Sequence, residues 1–266
     1  MALEPPTRLS PQTPRRADGP FLTLAGHLEE LRVRLGVSLA ALFIATGVSL
    51  VWVERIIRWL QRPVVDVLPR FAYFSPVEPL MAYLKVALLS GLLLAMPVML
   101  WQLWGFVRSG LTRRERSSGL ALVVWGSLQF LAGAAFAYYG LVPVSLRFLL
   151  GIGAGMLQPV ISINQYLSFV TTLLFWCGLV FELPVVLFIL AKVGIVTPEW
   201  LRQQRPYAIL VLVIIAAVVT PTTDPVNLML MAVPMILLYE LSILITRVAI
   251  RRPRSHRRPP AVVVRR

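Results

Sequence analysis

Glu182, in the run Phe181-Glu182-Leu183-Pro184, is the residue whose setting most demands a chemical role. It stands inside a long apolar stretch, where an ionisable group costs about 3 kcal/mol to insert and needs a polar partner or a water-filled cavity. Pro184 has no N–H to donate and frees a backbone carbonyl nearby. Read from the residues alone, such an acid suits the proton or substrate carrier of a small-molecule transporter. Glu240 is a second acid in an apolar stretch, expected closer to the membrane surface and paired with Arg247.

Three further stretches carry polar groups in a pattern. In His27-Leu28-Glu29-Glu30-Leu31-Arg32-Val33-Arg34-Leu35, the residues Leu28, Leu31 and Leu35 share one helical face. Glu30 and Arg34, four apart, share another and can pair. The spacing predicts an interfacial amphipathic lead-in to a membrane span, with its charges solvated and paired. Trp101 to Arg116 takes an aromatic-rich span end into a basic loop with one carboxylate, Glu115. Aromatic rings there anchor a helix at the interface, and the arginines neutralise the acid. Thr220-Pro221-Thr222-Thr223-Asp224-Pro225 reads as a tight hairpin in which turn chemistry accounts for every residue.

Other chemistries find no support. The single cysteine, Cys177, lies in an apolar run and reads as a small packing residue. His27 and His256 lie in different tails and make no zinc site with one thiol, so no metal is expected. The glycines of 151–155 lack the strand–helix context of a dinucleotide loop, and no phosphate-cradling motif occurs. No cofactor is expected. An intramembrane enzyme would need a nucleophile–base or metal constellation at bilayer depth, and the predicted spans contain no histidine.

The elements that must position these groups are membrane helices. The chain is 58% hydrophobic and 14% charged, with mean hydropathy +0.76, well outside the range of soluble domains. Apolar runs predict an all-α protein with six spans, at about 35–53, 80–104, 120–141, 165–191, 206–220 and 226–246. The fifth is short, rising roughly 22 Å against a hydrocarbon core of about 30 Å. The brief Pro221–Pro225 link makes spans five and six antiparallel neighbours. The first span follows a polar stretch too long for a cleaved signal and is expected to remain as an anchor.

The net charge of +14 raises nucleic acid as a partner, but the charges sit between spans and at the ends, where topology puts them. Segments 1–34, 105–119, 192–205 and 247–266 hold twenty Lys and Arg. The alternate segments hold five, which predicts that both termini are cytoplasmic. Four of those five are Arg55, Arg58, Arg62 and Arg70, in a segment whose amphipathic stretch ends at Pro63 and could lie along the outer interface. Residues 1–23 and the basic 251–266 are expected to be disordered cytoplasmic tails flanking a 24–250 transmembrane domain.

Together these stretches resemble the TatC family, the receptor subunits of the twin-arginine protein translocase, over about residues 24–250. His27-Leu28-x-Glu30-Leu31-Arg32-x-Arg34-Leu35 looks like the family's N-terminal signature. Gln102-x-Trp104-x-Phe106 through Glu115-Arg116 is similar to its first cytoplasmic loop. Phe181-Glu182-Leu183-Pro184 resembles its span-four motif, Leu201-Arg202-x-x-Arg205-Pro206-Tyr207 its second loop, and Thr220-Pro221 with Asp224-Pro225 its last outer hairpin. Ser109 stands where the family commonly has proline, and Asn227-Leu228 where a glutamine often follows the aspartate.

The resemblance implies a concave six-helix bundle with short helices five and six, in a prokaryotic cytoplasmic (inner) membrane. It implies a non-enzymatic receptor for twin-arginine signal peptides, driven by the proton gradient and exporting folded proteins. Signal-peptide contacts would fall to Glu30, Arg32, Phe106 and Glu115. Partner contacts, with TatA- and TatB-like single-span subunits, would fall to Glu182, Thr220 and Asp224. His27, Leu28, Leu31, Arg34, Leu35, Pro63 and Pro184 would be structural members of the pattern. The family assembles as a receptor complex of several copies. A proton-coupled small-molecule transporter using Glu182 is the competing reading.

Overall fold

A computed structural model describes residues 20–65, 71–108, 119–152, 160–220 and 224–250. These residues are helical nearly throughout, as lipid demands: backbone polar groups facing hydrocarbon must be satisfied within their own segment. The helices are α1 (Pro20–Val51), α2 (Val53–Gln61), α3 (Glu78–Val107), α4 (Gly119–Phe136), α5 (Val142–Gly151), α6 (Ile163–Phe181), α7 (Leu183–Val193), α8 (Pro198–Gln203), α9 (Arg205–Val219) and α10 (Pro225–Ile250).

Among the described residues, five helical runs are long and apolar enough to cross a membrane: Leu28–Val51, Glu78–Val107, Gly119–Gly151, Ile163–Val193 and Pro225–Val248. The sixth expected span is α9, whose 15 residues rise about 22 Å, as its sequence indicates. Its partner differs from expectation. α10 runs 26 residues and is not short. Its later turns are held against α8 and the start of α9, where the Tyr239 hydroxyl donates to the Leu201 carbonyl at 2.8 Å. The amphipathic lead-in runs directly into the first span. α1 is one helix of 32 residues, because no proline or glycine pair breaks it between Leu28 and Val51.

Two of the runs are interrupted where proline removes a donor. Pro143 has no N–H for the carbonyl of Tyr139, and the helix widens into a π-turn at Ala137–Leu141 before α5. Pro184 does the same between α6 and α7, and Glu182 sits at that break with φ −74° and ψ −12°.

α6 is the central post. Tyr166, Leu167, Val170, Leu173, Leu174 and Cys177 are buried along it, against α3, α4 and α10. At the end of the bundle where α6 starts, a cap closes over it. The Tyr166 hydroxyl donates to the Leu60 carbonyl at 2.7 Å, and the Tyr138 hydroxyl to that of Trp59 at 2.6 Å. Ala72 and Ser162 form a short parallel bridge. α2 buries Val53, Ile57 and Leu60 in this cap and ends in the Arg62–Val64 turn containing Pro63, as its amphipathic sequence predicts.

α1 is different. Only 6% of its span is buried, and it lies along α3 at close range. The approach depends on Gly91, where a Cβ would fall 2.5 Å from Thr46 Oγ1 and 2.6 Å from its backbone. Gly91→Ala should therefore push the two helices apart and destabilise the fold by about 1–3 kcal/mol. Gly47→Ala, with open space around the new methyl group, should not. Thermal unfolding of the two purified variants in detergent checks the difference; equal midpoints would show that the contact is not limiting.

Candidate functional site

Where α1 starts and α3 ends, these two helices and the α6–α7 break enclose a cleft of about 340 Å³. Its walls are mostly apolar, from Leu31, Leu35, Met96, Met99, Leu103 and Val186. Its polar groups are few: Arg34, Ser38, Gln102 and Glu182. Two residue groups 150 positions apart in sequence, the N-terminal signature and the span-four motif, thus line one hollow.

At one side of the cleft, helical spacing puts Arg34 one turn beyond Glu30. Arg34 Nε and Nη2 converge on Glu30 Oε1 at 3.0 and 2.7 Å, the pairing that the sequence predicts. The pair is roughly three-quarters buried, so water screens it less than a surface ion pair. Arg34 Nη1 also donates weakly to Gln102 Oε1 at 3.4 Å. Its guanidinium lies over Gly105, where a Cβ would fall 1.9 Å from Nη1. Glycine at 105 is what lets the arginine lie flat against α3 and hold the Glu30 carboxylate in place. Arg32, by contrast, is exposed and meets Glu29 only at 3.9 Å, a contact of little energetic weight.

At the other side sits Glu182. It is 5% exposed, and neither carboxylate oxygen has a hydrogen-bond partner among the described residues. Its oxygens rest over Gly126 of α4, where a Cβ would lie 3.1 Å from Oε2. A buried, unpartnered acid bordering a cavity is poised to meet a polar group arriving from outside.

The other sequence-selected residues fall in several places. Phe106 borders the cleft, half-buried. Glu115 lies outside the described residues, as does the side chain of His27. Leu28, Leu31 and Leu35 are exposed at 66%, 42% and 60%, as befits an apolar stripe facing lipid or a ligand. Pro184 is buried at the α6–α7 break. Thr220 and Asp224 are at the opposite end of the bundle: the Thr220 hydroxyl donates to the Ala216 carbonyl at 2.6 Å, and Asp224 caps α10 by accepting from the Asn227 backbone and amide at 2.8 Å each. Neither shares the cleft.

One expectation is overturned. Glu240 pairs with Arg205, at 2.5 Å, and not with Arg247. α9 packs against α10 and brings Arg205, at its start, beside Glu240, while Arg247 lies two turns away along α10 itself. Gln102, Gly105 and Gly126 acquire roles that no spacing rule signals, because each depends on a residue from a different helix.

Comparison with known proteins bears on this arrangement. The family described as Sec-independent protein translocase protein (TatC) matches residues 26–234. The TatC protein of Carboxydothermus hydrogenoformans is 39% identical over 226 residues, covering 85% of this chain and 93% of that protein. That of Aquifex aeolicus is 37% identical over 238 residues, covering 88% and 98%. A crystal structure titled as the twin-arginine translocase receptor TatC superposes with a TM-score of 0.76 at 37% identity, over 85% of this chain and 100% of that one. The six spans in order, the shared cleft and these matches across most of the sequence establish that this multi-pass membrane chain belongs to the TatC family of Sec-independent protein translocase proteins.

Proposed function

We propose that the chain is the signal-peptide receptor and core subunit of a twin-arginine translocase, exporting folded proteins across the cytoplasmic membrane without enzymatic chemistry of its own. The observation that carries this reading is the Glu30 carboxylate, held by Arg34 beside an apolar cleft. An incoming arginine can take over the contact that Arg34 now makes, guanidinium for guanidinium, while Arg34 keeps Gln102 as an acceptor. The exchange keeps the part-buried Glu30 carboxylate paired with a guanidinium throughout. Glu115, in the adjoining loop, supplies a second carboxylate for the second arginine of the pair. Phe106 and the leucines of the cleft offer apolar surface to the hydrophobic run that follows the charged start of a signal peptide.

Glu182 serves a different partner. Its buried, unpaired carboxylate suits a polar side chain on a TatA- or TatB-like single-span helix, and Thr220 and Asp224 extend that contact along α9 to the far end of the bundle. The proton gradient supplies the energy. Both termini, with tails 1–23 and 251–266 flanking the 24–250 domain, face the cytoplasm, and several copies form the receptor complex. The transporter reading of Glu182 gains nothing from the relatives, whose names are those of protein translocases.

Replacing Glu30 or Glu115 with Gln removes a charge-assisted contact worth about 1.5–3 kcal/mol. Each variant should insert normally yet bind a twin-arginine precursor about 10- to 100-fold more weakly, read by photocrosslinking and by export of a reporter; normal export in both would remove the assigned roles. Glu182→Ala should insert normally and lose crosslinks to the single-span subunits, and unaltered crosslinking would make the residue purely architectural. Single cysteines at positions 110 and 203 should label from the cytoplasm and one at 152 from outside. The reverse pattern would overturn the orientation.

A further inference from the structure

The short helix α2 and the turn that ends it carry a ridge of three arginines that neither the cleft nor the fold uses. Arg55, Arg58 and Arg62 are spaced three and four apart, so they share one face, and all three are exposed. None forms an ion pair with a carboxylate among the described residues. Like charges at this spacing repel, so the ridge weakens the helix that bears it unless an anion lies against it. The opposite face is already committed, with Val53, Ile57 and Leu60 buried in the cap. The ridge also runs against the chain's own charge bias, which strips cations from this side.

Depth identifies the anion. α2 begins two residues after the first span ends at Val51, at the level where hydrocarbon gives way to headgroups. Trp59 stacks on Tyr138 with ring centroids 3.9 Å apart and meets Tyr139 edge-on at 6.5 Å, the amphipathic ring cluster typical of that level. The three arginines, with Ile56 and Trp59, border an open hollow of about 610 Å³. A guanidinium grips a phosphodiester through paired N–H groups, and the apolar Ile56 and Trp59 would meet the glycerol and upper acyl carbons beneath it.

We propose that this ridge is a binding site for the headgroup of an anionic phospholipid in the leaflet away from the chain termini. The lipid neutralises the repulsion along α2 and pins the cap to the membrane surface. The proposal rests on the membrane placement of α2 and not on signal-peptide binding.

The test uses the full chain purified in neutral detergent, with lipid retention counted by native mass spectrometry after adding phosphatidylglycerol or phosphatidylcholine. The wild type should retain phosphatidylglycerol preferentially. The triple variant Arg55→Gln, Arg58→Gln, Arg62→Gln should lose that preference about tenfold, while the corresponding triple Lys variant keeps most of it. Should the triple Gln variant not fold, Arg58→Gln alone should show a smaller loss in the same direction. An unchanged preference in the Gln variants would assign the lipid to the basic tail and overturn the proposal. Equal retention of both lipids by the wild type would do the same, and displacement of phosphatidylglycerol by millimolar inorganic phosphate would make this a free-anion site instead.

Discussion

Removing a charge from water is costly, and the arrangement of this chain follows from where that cost can be avoided. Most of its cations stand at span ends or between spans, where water and headgroups solvate them. Lys85 is the one Lys or Arg within the predicted spans, and it lies near the start of α3, donating to Asn164 and Ser168 across the interface with α6. Glu240 is matched by Arg205. Glu182 alone among the acids of the described spans is buried with no partner. An arrangement that compensates its other internal charges leaves this one alone uncompensated, which is the feature the proposed partner contact rests on.

The cleft makes use of the same cost. Glu30 could not sit beside an apolar hollow as a bare carboxylate without a large loss of solvation. Arg34 removes that difficulty by pairing with it one helical turn away. The Glu30 carboxylate is therefore paired within the chain itself. Glycine at 105 makes room for this arrangement, and the close approach of α1 to α3 at Gly91 sets the distance between the two sides. α1 contributes polar groups at one end while leaving nearly all of its span to lipid or to another chain, so the helix that carries the signature is also the one least held by the bundle.

Proline supplies the remaining geometry. Pro143 and Pro184 each withhold a donor from a long helix, and each run gives way there without ending. At Pro143 the helix widens beside Tyr138 and Tyr139, the rings that receive Trp59 from α2. At Pro184 the break turns Glu182 towards the cleft and towards Gly126. In both places a local backbone defect positions a group that a straight helix would have aimed elsewhere.

Much of this was legible in the residues themselves. Apolar runs gave six helices in the right order and the short reach of α9, because hydropathy and length are properties of contiguous sequence. The four-residue spacing predicted the Glu30–Arg34 pair, because partners one turn apart meet whatever the fold around them. Separate motifs also marked Glu182, Phe106 and the N-terminal signature as notable. Only the tertiary structure decided that these lie on one cleft, that Glu240 chooses Arg205 over Arg247, that α1 is continuous through its amphipathic start, and that Gly105 and Gly126 are the floors on which Arg34 and Glu182 rest. Those facts depend on which helices become neighbours and how closely they approach, and contacts between residues tens or hundreds of positions apart leave no periodic trace in a single chain.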